Sequence, residues 1–266
     1  MTNGVLADDE YCERGAGSPA VLMSHGTLMD WTMFRSQIDA LSPHYRVIAY
    51  NLRAATRSGY DSPYTLETLS EDCLRIADQF EIDTFVLVGM SMGGYMALDF
   101  ALRFPQRLRG LVLIDSMAAA YSDDKKLRYA EAFGPLNIDG PLPRAFAEWC
   151  APICFGPRTI DEQPDLVRSW VERWTLRPAR SVYGEYRSWI DKPDIRQNLT
   201  QIDVPTLIIH GEDDAGLPLE EFGLPMAAAI RQATMVVIPG AGHTSNCERP
   251  AEVNSALLDF LKGLPS

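Results

Sequence analysis

Gly89-Met90-Ser91-Met92-Gly93, followed at once by Gly94, is the feature that most narrows what this chain can become. An apolar run, residues 84–88, leads into it, and a run of helical character, residues 95–104, leads out until Pro105 stops it. A strand that turns sharply into a helix forces the central residue into a strained backbone conformation. Its flanks must be glycine, because neighbouring backbones pass too close for a side chain. Ser91 then stands at the carboxyl end of a strand and above a helix N-terminus, where unspent N–H groups favour negative charge. A phosphate loop is the competing reading, but no Gly-Lys-Ser/Thr follows the glycines.

The rest of the chain supplies the sheet that such a turn needs. Apolar runs at 20–24, 46–50, 84–88, 111–114, 206–210 and 235–238 are continuous rather than alternating, as in strands covered on both faces. Between them, Leu66, Leu69, Cys73, Ile76, Ala77 and Phe80 step by three or four, as do Val253, Leu257, Leu258 and Leu261. Pro250 suits a first helical turn. Alternating strands and helices predict an α/β fold with a mainly parallel sheet and right-handed crossovers. The alternation fails over residues 117–198, which hold Trp149, Trp170, Trp174 and Trp189 and proline breaks at Pro141, Pro143, Pro152, Pro157, Pro164 and Pro178. An insertion of that length is too long for a plain loop. It predicts a helical cap, residues 117–198, on a core made of residues 1–116 and 199–266.

A serine hydroxyl needs a base. Of the four histidines, His243 follows the last apolar run in Gly240-Ala-Gly242-His243, on the same sheet edge as Ser91. His44 precedes its strand and falls on the opposite edge, and His210 ends a strand where it would pack or hydrogen-bond. The base needs a carboxylate to hold its tautomer. Asp214, in the loop after 206–210, has the best spacing, with Asp213, Glu212 and Asp115 as rivals. The order Ser, Asp, His is the one expected of a strand-turn-helix nucleophile. Donors for an oxyanion would be the N–H of Met92, just after the nucleophile, and that of Thr27 in His25-Gly26-Thr27-Leu28, with Leu28 as second choice. Leu28, Met29, Trp31 and Met90 stand beside these groups in sequence and are expected to touch substrate.

Taken together, Ser24-His25-Gly26, Asn51-Leu-Arg53 with Arg57-Ser58-Gly59, Val88 to Gly94, His210 to Asp214 running on to Pro218, and Pro239 to His243 resemble the α/β-hydrolase superfamily. The matches span both ends of the chain and leave the insertion unmatched. The resemblance implies an acid four residues before the proline, which is Asp214, and an oxyanion donor right after His-Gly, which is Thr27. Within the superfamily the chain is most similar to small capped esterases and lactonases, such as 3-oxoadipate enol-lactonases, to cofactor-free haloperoxidase-type esterases, and to C–C bond hydrolases. In one loop, residues 51–59, it departs from the glycine-rich Asp-x-Arg-Gly-x-Gly of relatives.

These readings converge on a serine hydrolase that cleaves an ester or lactone of a small apolar or aromatic substrate, with no cofactor and no metal. Cleavage of a C–C bond in a diketone by the same groups, and a ligand-binding receptor on a hydrolase scaffold, are the alternatives. Against 24 Lys and Arg stand 36 Asp and Glu, a net charge of −12, which disfavours nucleic acid and anionic membrane as partners. Residues 1–10 carry no basic region or apolar stretch, so no signal peptide is expected. No apolar run reaches about 18 residues, so no membrane span is expected. Five scattered cysteines suit reduced thiols, and Cys150-Ala-Pro-Ile-Cys154 has no partner pair to make a metal knuckle. A cytoplasmic protein is the expectation, and association as a homodimer stays open.

Overall fold

The computed structural model describes residues 6, 7, 9–57, 59, 60 and 62–265. Met1 to Val5, Asp8 and Ser58, on which expectations above partly rest, lie outside the described residues. Seven strands form one sheet: β1 (Tyr11–Arg14), β2 (Ala20–Ser24), β3 (Arg46–Tyr50), β4 (Phe85–Met90), β5 (Leu108–Ile114), β6 (Thr206–Gly211) and β7 (Ala233–Ile238). Their order is β1-β3-β2-β4-β5-β6-β7. Only β1 runs antiparallel, to β3. Every other neighbouring pair is parallel.

The two edges differ from the middle for a reason visible in their residues. β4 and β6 are buried at every position, which a run such as Phe85-Val-Leu-Val-Gly-Met90 permits. Each Leu or Ile buried in this way contributes about 2 kcal/mol. β1 reads Tyr-Cys-Glu-Arg and is half exposed. β1 is not among the six strands that apolar runs predict, because an edge strand needs no apolar run. β4, β5, β6 and β7 also extend beyond the expected bounds at one end, and β4 begins one residue late.

Helices flank the sheet. α1 (Arg35–Leu41) packs against α11 (Pro250–Lys262), and α2 (Leu66–Gln79) packs against α3 (Met92–Arg103). α2 begins with a reciprocal cap in which Thr65 and Thr68 each accept from the other's backbone N–H. The short helices α9 (Gly223–Ala229) and α10 (Ser245–Glu248) follow β6 and β7. Among the described residues no helix is long and apolar enough to cross a membrane.

Between β5 and β6 run α4 (Asp123–Phe133), α5 (Arg144–Cys154), α6 (Pro157–Glu162), α7 (Pro164–Trp174) and α8 (Ala179–Trp189). Pro157 and Pro164 open their helices, where a missing N–H costs nothing. Pro152 was read as a break, but it lies inside α5. Pro143 immediately precedes α5, so the helix has already turned more than twice by position 152, and loss of one donor near its end is tolerated.

Candidate active site

Each strand of the parallel sheet delivers its carboxyl end to one edge, and five of those ends build the site. After β4 comes the tight turn. Ser91 sits at φ 53°, ψ −114°, a conformation that strains a residue with a side chain. Its N–H donates to the Ile114 carbonyl (2.9 Å) and its carbonyl accepts from Ser116 Oγ (2.8 Å), so β5 and the residues after it hold the turn. The glycines are obligatory by geometry. A Cβ at Gly93 would lie 2.5 Å from the Ser24 carbonyl oxygen, and one at Gly89 would collide with the backbone of Gly93.

His243 and Asp214 meet Ser91 from β7 and β6. His243 Nε2 lies 2.8 Å from Ser91 Oγ, and His243 Nδ1 lies 2.8 Å from Asp214 Oδ2. With Nδ1–H donating to the carboxylate, Nε2 presents its lone pair to the serine hydroxyl. Asp214 Oδ1 accepts from the Leu217 N–H (2.8 Å). Burial opposes charge on Asp214, but His243 and His210 outweigh it and hold the carboxyl down at about 2. Burial likewise opposes charge on His243, and Asp214 outweighs it, leaving the imidazole above its ordinary value.

The rival acids are elsewhere. Asp213 is exposed, and Glu212 is exposed and accepts from the Gly240 N–H (3.2 Å). Asp115 is buried behind His243 and accepts from Gly211 N–H (2.7 Å), Ser245 N–H (2.9 Å) and Ser245 Oγ (2.7 Å). It therefore ties the start of the Asp214 loop to the residues after His243. Burial, with the Asp214 charge adding to it, pushes Asp115 up to about 7, against the pull of His210, His243 and Ser245. His210 is buried and its Nε2 donates to the Leu217 carbonyl (2.7 Å). Donor atoms of Asp115, His210 and Asp214 lie within 4.8 Å of one another, but those bonds already engage the two carboxylates.

The loop after β2 forms the facing wall. His25 is buried, its Nδ1–H donating to the Gly26 carbonyl (2.8 Å) and its Nε2 accepting from Leu52 N–H (2.9 Å). Burial lowers its pKa to about 4, so it stays neutral and keeps that tautomer. Leu28 is held at φ 67°, and its N–H donates to Glu185 Oε2 (3.1 Å). Leu28 is thus ruled out as a donor to a ligand, because its N–H is spent. The N–H groups of Thr27 and Met92 have no protein acceptor among the described residues. Their side chains adjoin, with Thr27 Oγ1 3.7 Å from Met92 Sδ.

Ser91, His243, Thr27, Leu28 and Met92 all line a cleft of about 720 Å³, part of it open to solvent. Three residues expected there are not among its walls. Met29 and Met90 are buried in the core, and the Met90 thioether fills the space beside Gly26. Trp31 points away, its N–H bonded to Asn51 Oδ1 (2.9 Å) and its indole N–H to the Asp9 carbonyl (3.2 Å). Nearness in sequence misled here, because one residue along a tight loop reverses the side chain's direction. Leu66, Tyr95, Gly216 and Leu217 add core residues to the walls, and most of the rest come from the helical segment. Tyr121, Tyr129, Phe133 and Trp189 form an aromatic cluster with ring centroids 5.2–5.6 Å apart around Trp189. Cys150, Ile153 and Trp149 add to it from α5. Trp170 and Trp174 pack elsewhere, Trp174 against Phe155.

Two buried acids that brace the site loops carry no signal in the sequence. Glu248 accepts from the N–H groups of Gly156, Gly242 and Thr244 and from Thr244 Oγ1, at 2.9–3.1 Å, and so fixes the His243 loop against the start of α6. Glu185, on α8, pairs with Arg177 (3.3 Å) and carries the Leu28 N–H described above. A glutamate amid helical residues gives no outward sign that it will be buried.

Comparison with known proteins agrees with this architecture. The family model for the alpha/beta hydrolase fold matches residues 19–250. The chain is 27% identical to 3-oxoadipate enol-lactonase 1 of Acinetobacter baylyi, over 93% of this chain and 90% of the relative. It is 30% identical to the 2-hydroxy-6-oxo-2,4-heptadienoate hydrolase of Pseudomonas putida, over 93% and 90%. Among solved structures it is similar to a thermophilic esterase from Thermogutta terrifontis, with TM-score 0.88, 30% identity, and 95% and 92% of the two chains covered. By fold, strand order and this match the chain belongs to the alpha/beta hydrolase family, and it is a hydrolase.

Proposed function

We propose that the protein hydrolyses a carboxylic ester or lactone through an acyl-enzyme on Ser91. The observation that carries this is the unbroken line Ser91 Oγ, His243, Asp214, with both gaps at 2.8 Å. Ser91 Oγ attacks the carbonyl carbon while His243 Nε2 takes its proton. Asp214 stabilises the resulting imidazolium without taking its proton. The tetrahedral oxyanion rests on the N–H groups of Thr27 and Met92, whose freedom from protein acceptors supports that role. His243 then protonates the departing alcohol, and the acyl group stays on Ser91. Water, deprotonated by the same imidazole, attacks the acyl carbonyl; the acyl–Oγ bond breaks, the acid leaves, and His243 returns the proton to Ser91 Oγ. The helices between β5 and β6 act as a cap, supplying the aromatic walls that select an apolar portion of the substrate.

A second reading, C–C bond cleavage by the same groups, is favoured by the likeness to the 2-hydroxy-6-oxo-2,4-heptadienoate hydrolase. A panel of p-nitrophenyl esters, lactones and diketone acids separates the two. In the same assay Ser91→Ala should lower turnover by roughly 10⁴-fold or more. Mass spectrometry should find a fluorophosphonate adduct on Ser91 of the wild type. A Ser91→Ala protein that keeps near-wild-type turnover would remove the reading.

A further inference from the structure

Among the described residues, Lys192 Nζ is a buried amine nitrogen with no hydrogen-bond partner. Lys192 follows α8 and is only 7% exposed. It lines the same cleft as Ser91 and His243. Its Nζ stands 3.3 Å from the centroid of the Tyr121 ring and 5.7 Å from that of Tyr95. A lysine normally runs its stem along apolar surface and leaves its head in water. This one keeps its head inside. The ring faces suit its charged form but accept none of that form's three N–H bonds in the ordinary way.

The acids nearest it do not pair with it. Asp191 and Asp99, which line the neighbouring groove with Lys192, pair with Lys126 (3.1 Å) and Arg103 (3.3 Å), Asp194 pairs with Arg196 (2.5 Å), and Glu67, also in that groove, is exposed to solvent. Among the described residues no carboxylate comes within ion-pairing distance of Nζ. Burial, aided by Lys126 and Lys125 and opposed by Asp194, holds the Lys192 pKa down at about 6. An anion entering the cleft would supply the missing acceptors and favour the charged form. Long-range attraction cannot do this for a chain of net charge −12, so recognition of an anion must be local. The walls of the cleft include no arginine and no second lysine, which fits a single negative charge better than a phosphate dianion.

We propose that Lys192 is the anion-recognising residue of the cleft, and that the substrate is an ester or lactone bearing a carboxylate at the end away from the scissile carbonyl. The proposal rests on the Ser91 reading above and names the substrate class for it. The carboxylate pairs with Lys192 against the Tyr121 face while the carbonyl lies at Ser91.

The test compares kcat/KM for three kinds of ester of matched size. One arm uses p-nitrophenyl hemiesters of succinic, glutaric and adipic acids, with the carboxylate in the acyl half. Another uses 4-acyloxybenzoates, with the carboxylate in the leaving half. The reference is the neutral p-nitrophenyl esters. The wild type should prefer one carboxylated arm, and Lys192→Met should lower the ratio of carboxylated to neutral rates by about 10- to 100-fold, the range expected for loss of a charge-assisted bond. Lys192→Gln should give the same direction of change. A wild type that disfavours both carboxylated arms overturns the proposal whatever the variants do. So does a ratio that is equal in the wild type and a folded Lys192→Met protein. Neutral-ester hydrolysis that Ser91→Ala abolishes would in either case leave the hydrolase reading standing.

Discussion

The sheet edge and the helical segment contribute to one cleft by opposite means. The loops after β2, β4, β6 and β7 hold Thr27, Ser91, Asp214 and His243 through backbone geometry: a positive φ at Ser91, a glycine that no Cβ can replace at position 93, a carbonyl bonded to each turn. The helices from α4 to α8 contribute side chains only, from ordinary helical faces, as with Tyr129 and Phe133 on α4 or Cys150 and Cys154 on α5. On the proposed mechanism the groups at the sheet edge perform bond chemistry and must be placed to a fraction of an ångström, as rigid strand ends allow. Groups that choose a substrate need shape and contact, which helices supply and can vary. The contrast predicts that damage at the sheet edge falls on kcat, and damage in the helices falls on selectivity.

The sharpest break of that contrast is at Asp214. Asp214→Asn should lower kcat by about 10⁴-fold, because the wrong imidazole tautomer then faces Ser91. The pH profile adds a sign. His243 must be neutral to accept the serine proton, so kcat/KM should rise with pH through the His243 pKa. Asp214 holds that pKa above the ordinary value of about 6.5. The acidic limb of the wild type should therefore have its midpoint above 6.5, and in Asp214→Asn it should move down. A limb that does not move would mean that Asp214 does not govern His243.

A smaller effect tests a place where a helix bears on the proposed oxyanion loop. Glu185 on α8 carries the Leu28 N–H and faces Arg177, both in the interior. Glu185→Gln keeps the shape but removes the charge opposite Arg177. It should lower kcat by about 10-fold through a loosened Thr27 N–H, since oxyanion donors are worth 10² or more when lost entirely. KM should change less than kcat. Loss of the charge partner should also lower thermal stability, by about 1–3 kcal/mol, the cost of leaving a largely buried group underpaired. If KM rises instead and kcat holds, Glu185 shapes the cleft and leaves the oxyanion loop alone.

What could be read in the sequence follows the same division. Strained turns demand particular residues, so Gly89 to Gly94 and Gly240 to His243 announce themselves, as do the apolar runs of β4 and β6. β1 does not, because a half-exposed edge strand has no composition of its own. Met29, Trp31 and Met90 were assigned to the cleft by nearness along the chain, a measure blind to the side-chain direction that a loop imposes. Glu185, Glu248 and Lys192 carry types that are usually solvated, and nothing local marks them as buried. Their positions arise only when helices far apart in the chain close over the sheet edge.

The weakest expected effect, and the most telling for the helices, is at Trp189. Its ring makes edge contacts with Tyr121, Tyr129 and Phe133 and forms part of the cleft wall. Trp189→Phe keeps an aromatic ring in a smaller volume and leaves Ser91, His243 and Asp214 bonded as before. Activity on short acyl esters should fall no more than a few-fold. The preference among acyl chain lengths should shift toward bulkier groups by about 10-fold, the size of one or two methylenes' worth of apolar contact. Competition assays with paired esters measure that ratio directly, free of differences in active enzyme concentration. An equal fall for every chain length would mean that Trp189 supports the catalytic loops through packing, and would erase the distinction between the two regions at that position.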